Sequence, residues 1–143
     1  IVLPRGAALL AETIRAIGEG RAVARPQDER DATYCGKIDR DTAHIDWRRS
    51  AGDIHNLVRG LNPKPVAWTT FRGKNVRIWK TGLCEGGPAP APGELAVAGK
   101  KRLIAGTGSG ALEILSIQPE TKKAMDGLSF INGYRPAAGE AFE

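Results

Sequence analysis

The change of hydrophobic period at the corner "GLNPKPVAW", residues 60–68, constrains this fold more than any other feature. Before the corner, "SAGDIHNLVRGL" places Ile54, Leu57, Val58 and Leu61 at i, i+3, i+4 and i+7, which is one apolar face of a helix. Ser50 as N-cap with Asp53 at N3 forms a capping box in its acidic form, and Gly60 is expected to end the helix. After the corner, apolar residues alternate in short runs separated by turn residues, the signature of half-buried strands.

The runs are "AWTTF", a turn at Arg72-Gly73-Lys74, and "NVRIWKTGL" with Val76 and Ile78 alternating against Arg77 and Trp79. A loop "EGGPAPAPG" follows, then "ELAVA", a turn at Gly99-Lys100-Lys101, "RLIAGTG", a glycine turn, "ALEILSI", and a short helix "DGLSFINGY". The expected fold class is therefore mostly β with flanking helices. Specifically, the spacing predicts a small five-stranded Greek-key barrel, closed or partly closed, of the oligonucleotide/oligosaccharide-binding (OB-like) type. A β-sandwich would need more strands. At the corner itself, Pro63 and Pro65 fix φ and hold their preceding residues out of the α region, so an extended exit aimed at the first strand is expected.

The N-terminal part reads differently. Residues 7–17 carry Leu10, Ile14 and Ile17 at helical spacing, with Gly18 and Gly20 as exit. "IVLP" is too short to cover that apolar face, so residues 1–20 are expected to be the closing helix of something upstream. The opening "IVLPRGAALL" lacks a methionine, a basic leader and a cleavage site, and reads as a cut rather than a signal peptide. Residues 21–40 mix charges of both signs without hydrophobic period and read as a linker, leaving 41–143 as the one domain with a core. Hydrophobic content of 41% with 26% charged residues suits a soluble globular chain, and no apolar run reaches the roughly 18–20 residues of a membrane span.

Candidate chemistry is sparse. "GTGSG", residues 106–110, lies between two strands and has the wrong spacing for a dinucleotide loop, so a hairpin turn is expected. His44 and His55 have no nucleophile or metal-ligand partner at useful spacing. Asp39, Asp41 and Asp46 are interleaved with Lys37, Arg40, Arg48 and Arg49, which fits local charge balance better than paired-carboxylate catalysis. Cys35 and Cys84 lack the further ligands of a zinc site and read as two buried or idle thiols of a reducing cytosol, with a disulfide between them as the other reading. No catalytic residue and no metal site is assigned.

Charge is more informative. Residues 60–125 hold ten basic residues against four acidic ones, a net of +6, while the flanks are near neutral or slightly acidic. Arg72 and Lys74 fall on one turn, Lys100, Lys101 and Arg102 on another, Lys122 and Lys123 after the last strand, and Lys64 on the corner. Point charges on loops at the mouth of such a barrel suit a phosphate backbone, held without reading its sequence. Trp47, Trp68 and Trp79 offer stacking surface, although packing is the commoner role of tryptophan.

"ARPQDERDATYCGKIDRDTAHIDWRRSAGDIHNLVRGLNPKPVAWTT", "GKNVRIWK", "APGELAVA" and "GSGALEILSIQPETKKAM" resemble the linker and C-terminal domain of the methionyl-tRNA formyltransferase family. The "IHNLVRG" helix with its "IDW" lead-in is also similar to formyltetrahydrofolate hydrolases and sugar-nucleotide formyltransferases. The resemblance implies an absent N-terminal catalytic domain that uses 10-formyltetrahydrofolate, with residues 1–20 as its last helix. This chain would bind no cofactor and be inactive alone. It also implies that the C-terminal barrel holds initiator methionyl-tRNA by its backbone in the cytoplasm, with Lys37 and Arg40 on the RNA-facing surface; a monomer is the default expectation. The alternative is a scaffold domain without a nucleic-acid role. Where the family usually has "NPWP", this chain has "NPKP", with Lys64 in place of the tryptophan.

Overall fold

The computed structural model describes residues 2–34, 36–84, 89–99 and 101–143, so Cys35 and Lys100 lie outside the described residues. The chain divides into two compact units, Ile1–Gly36 and Lys37–Glu143. In the first, helix α1 spans Val2–Gly18. It begins before the expected residue 7 because Pro4 falls in its first turn, where a missing N–H costs nothing. Leu3, Leu9, Leu10, Ile14 and Ile17 are all at least 60% exposed, so within this unit the apolar stripe has no cover. The rest is irregular apart from a single 3₁₀ turn, Glu29–Asp31, capped by Asp28.

The second unit contains helix α2 (Ala51–Gly60), strands β1 (Ala67–Phe71), β2 (Lys74–Leu83), β3 (Leu95–Ala98), β4 (Arg102–Gly106), β5 (Ala111–Pro119) and β6 (Met125–Asp126), and helix α3 (Gly127–Tyr134). The capping box is formed: Ser50 Oγ accepts from the Asp53 N–H at 3.1 Å and donates to its carboxylate at 2.9 Å. Helix α2 runs through Gly60, which remains helical, and Leu61 is the cap. Ile54 and Val58 point inward from this helix, as their spacing requires. The prolyl corner is tighter than expected. Residues 61–65 form a turn, both X-Pro bonds are cis, and the Val66 N–H donates to Leu61 O at 2.9 Å.

The six strands form one antiparallel sheet in the order β1-β2-β5-β4-β3, with β6 on β5. Three consecutive strands, β3 to β5, return so that β5 lies beside β2, which is Greek-key connectivity. Two expectations need correction. The sixth strand is only two residues long and too short to show a period. The sheet is also open, because β1 and β3 at its edges do not pair with each other. Instead the edges are capped by irregular chain. Thr70 and Glu143 exchange two backbone hydrogen bonds of 3.0 Å, while the Phe142 N–H donates to Gly93 O and the Leu95 N–H to Glu140 O, both at 2.8 Å. Residues 43–45 similarly bond to Trp68 on β1. Such covers remove the exposed edge that would template association.

Gly93 permits the closest of these approaches. Its φ is +81°, and a Cβ there would stand 2.4 Å from the carbonyl oxygen of Phe142. The core between sheet and helices is made by Ile45, Ile54, Ile78, Leu103, Leu112, Ile114, Ile117 and Phe130, all at most 1% exposed. Burial of each such side chain contributes about 1.5–3 kcal/mol. The inward residues of β2, Val76 and Ile78, are those the alternation selects, which leaves Arg77 outside.

Candidate nucleic-acid interface

Antiparallel connectivity decides where the basic turns lie. In a chain of alternating strand direction, the β1–β2, β3–β4 and β5–β6 turns all fall at one end of the sheet. These turns carry Arg72 with Lys74, Lys101 with Arg102, and Lys122 with Lys123. Lys100 belongs to the second turn by sequence but lies outside the described residues. Each turn has its own local support. Gly73 has φ +70° and Arg72 +51° in the first, the Lys101 N–H donates to Ala98 O in the second, and the Lys122 N–H donates to Pro119 O in the third.

The cations are not equivalent. Lys74, Lys101, Lys122 and Lys123 are exposed and make no ion pair among the described residues. Arg72 is gripped by Glu140 through two bonds, Nε to Oε1 at 2.7 Å and Nη2 to Oε2 at 2.8 Å. That bidentate pair holds the Glu140 carboxyl down at about 2 and raises the Arg72 pKa. Arg102 is bonded to Glu113, Nε to Oε2 at 2.8 Å, which likewise raises its pKa. A phosphate reaching either arginine finds its Nε and Nη2 donors already engaged by a carboxylate, which leaves Nη1 to it.

Lys64 does not join the three turns. It is exposed on the corner before β1, about 17 Å of strand away from the β1–β2 turn. Lys37 is exposed at the start of the second unit. Arg40 is exposed and sets its guanidinium 5.1 Å from the centre of the Trp68 ring, while its carbonyl accepts the Trp68 indole N–H at 2.9 Å.

Arg77, a basic residue outside the expected site, stands on the exposed face of β2 between Trp68 on β1 and Gln118 on β5. The alternation of β2 is the signal that would have found it. A cavity of about 600 Å³ lies there, bounded by Arg40, Trp68 and Arg77 but also by Asp39 and Glu120. Its mixed charge suits a phosphate less well than the turns do.

Several other titratable groups are tied into local hydrogen bonds. Asp46 is held at about 2 by hydrogen bonds from Arg48, and Asp39 is lowered by hydrogen bonds from the Thr42 hydroxyl and N–H. His55 Nδ1 pairs with the Thr81 hydroxyl at 2.9 Å, and Cys84 is a half-buried free thiol. No cluster of metal-binding side chains occurs among the described residues, and no helix is long and apolar enough to cross a membrane. "GTGSG" is a strand-to-strand connection, as its position predicts. The Gly108 N–H donates at 2.9 Å to both Trp47 O and Arg49 O.

Comparison with known proteins accords with this architecture. The chain is 42% identical over 139 residues to a methionyl-tRNA formyltransferase of Carboxydothermus hydrogenoformans, covering 96% of this chain and 45% of that protein. It is 38% identical over 136 residues to that of Bacillus subtilis, covering 94% and 43%. The chain thus spans less than half the length of these curated relatives. Among solved structures, HypX from Aquifex aeolicus shares the fold, with a TM-score of 0.60 at 18% identity over 92% of this chain and 23% of that one. HypX in complex with tetrahydrofolic acid gives 0.58 at 17% identity, over 90% and 23%. Residues 37–135 match the formyl transferase C-terminal domain, and the chain belongs to that family.

Proposed function

We propose that this chain is the tRNA-binding C-terminal domain of a methionyl-tRNA formyltransferase. The parent enzyme transfers a formyl group from 10-formyltetrahydrofolate to the amino group of methionyl-initiator-tRNA, in the cytoplasm, during translation initiation. Residues 1–20 are the last helix of the catalytic half, residues 21–40 the linker, and 41–143 an OB-like binding module. Formyl-donor binding and the chemistry belong to the catalytic half, and the module works as a monomer.

The observation that carries this reading is the gathering of basic turns at one end of the sheet. Lys74, Lys101, Lys122 and Lys123 are unpaired there among the described residues, and Lys100 accompanies them in sequence. Arg72 and Arg102 are secondary contacts because each already shares part of its guanidinium with a carboxylate. Lys37, Arg40 and Lys64 extend the surface along the chain that leads into β1. Cations on turns hold phosphates and carry little sequence information, so selection of initiator tRNA rests mostly with the catalytic half. The scaffold reading, taken from folate hydrolases and sugar-nucleotide formyltransferases, has no observation of its own in its favour.

The test is fluorescence anisotropy of labelled initiator tRNA titrated with this chain at several salt concentrations. Each phosphate contact contributes roughly −0.7 to −0.9 to the log–log slope, so a slope of several units is expected. Absence of binding at low salt, both for this chain and for the full-length protein, would overturn the proposal.

A further inference from the structure

The three tryptophans have different surroundings. Trp47 is buried at 5% exposure, with its ring 5.3 Å from that of Phe142. Trp68 is half buried, with His44 4.4 Å and the Arg40 guanidinium 5.1 Å from its ring centre. Trp79 is half buried as well, but among the described residues it has neither an aromatic nor a cationic neighbour on its ring. It lines a groove of about 580 Å³ between α2 and β2.

Local irregularity puts it there. The β2–β5 register shifts on either side of Lys80, so Trp79 falls in a bulge between the pairs Ile78↔Ile117 and Lys80↔Ser116. Bulges of this kind re-aim a side chain. The indole N–H is tied to Gln118 Oε1 at 3.0 Å and the Trp79 carbonyl accepts from Asn62 Nδ2 at 2.8 Å, so both ring and backbone are held. Arg59 from α2 and Lys80 from β2 stand on the walls, both exposed; Arg59 Nη2 donates to Asn56 Oδ1 at 3.0 Å, and neither forms an ion pair among the described residues. His55 and Ser116 add polar groups, and no acidic residue lines the groove.

We infer that this groove is a subsite for one unpaired nucleotide of a bound RNA, an inference that rests on the RNA-binding function proposed above. The base lies on the face of Trp79, and the adjoining phosphates sit between Arg59 and Lys80. The volume is within the range of small-ligand pockets and suits a single nucleotide. A base inside a helical stem is covered by its neighbours and has no free face to offer, so the occupant comes from a single-stranded stretch. Every base has a π-face, which makes the subsite tolerant of sequence. The whole acidic-free wall complements phosphate and would repel nothing in it.

A single-stranded oligoadenylate tests this against a blunt, fully paired RNA duplex and the initiator tRNA. Oligoadenylate is expected to quench the tryptophan fluorescence of the chain. Trp79→Leu should abolish that quenching and weaken oligoadenylate binding roughly tenfold or more. The double variant Arg59→Ala/Lys80→Ala leaves the ring in place, and it should weaken the same binding and lower the salt slope by about 0.7 for each cation removed. Duplex binding should not change in either variant.

If both variants bind oligoadenylate as the unaltered chain does, while tRNA binding by that chain persists, the subsite is wrong and the RNA-binding function stands. If the unaltered chain binds neither RNA, both fall together. Should Trp79→Leu not fold, the double alanine variant decides alone, because neither of its side chains is buried.

Discussion

The indole N–H of Trp47 donates to the hydroxyl of Thr69 across 2.9 Å, and that hydroxyl donates in turn to the carbonyl of Glu143 at 2.7 Å. Thr69 is fully buried on β1, so the Trp47–Thr69 bond is shielded from water while Glu143 stands at the exposed end of the chain of bonds. Thr69→Val keeps the shape but leaves a buried indole N–H without an acceptor. A loss of about 1–3 kcal/mol is expected in urea unfolding. A loss below about 0.5 kcal/mol would mean that the indole finds another partner.

Gly108 is the second sensitive point. A Cβ there would stand 1.8 Å from the Arg48 carbonyl oxygen and 2.6 Å from its carbon, so backbone rather than a flexible side chain has to move. Gly108→Ala should cost about 1–3 kcal/mol or more, and Gly73→Ala, which meets nothing within 4 Å but has φ +70°, should cost less. Paired thermal melts of the two variants check the order.

The Arg72–Glu140 pair gives a pH dependence of definite sign. Hydrogen bonds from Arg72 lower the Glu140 carboxyl from 4.5 to about 2. A depressed folded-state pKa contributes stability that is fully present above the unfolded value and is lost as pH falls towards the folded one. The contribution should therefore fade between about pH 4.5 and pH 2. Phe142, two residues on, stacks on Trp47, so tryptophan emission followed through acid titration reports it. Glu140→Gln should remove that part of the titration.

Charge reversal separates binding from folding. Lys101→Glu, Lys122→Glu and Lys123→Glu together should abolish tRNA binding and leave the unfolding free energy in urea within about 0.5 kcal/mol, because all three side chains are exposed and, among the described residues, unpaired. Arg72→Glu should instead disturb both, since it sets two carboxylates against each other at the end of β1. Anisotropy and denaturation on the same preparations distinguish the cases.

Much of the second unit is legible in the primary structure because its signals are local. The Ser50–Asp53 box, the inward Ile54 and Val58, and the alternation that buries Val76 and Ile78 each depend on residues within one turn or one strand. The features that were missed depend on residues far apart in the chain. Neither the Glu140 partner of Arg72 nor the capping of Thr70 by Glu143 leaves a periodic trace. Lys64 was grouped with the turns by charge, although connectivity sends it to the other end of β1. Arg59 was visible as the i+4 neighbour of His55, but its meeting with Lys80 and Trp79 needs the bulge in β2, and no residue preference announces a bulge.

The crossing from β2 to β3 has a kinetic meaning. The β1–β2 hairpin and the β3–β4–β5 meander each close over short stretches of chain, yet Ile78 and Ile117 are buried only when β2 meets β5, with Val76 paired to Pro119. Two quickly formed halves must find each other across the stretch between Leu83 and Leu95 before either acquires a core, and the entropy of that encounter comes first. The docking of β2 on β5 is the step expected to govern how fast this unit folds, and variants along that seam should slow folding more than variants in either hairpin turn.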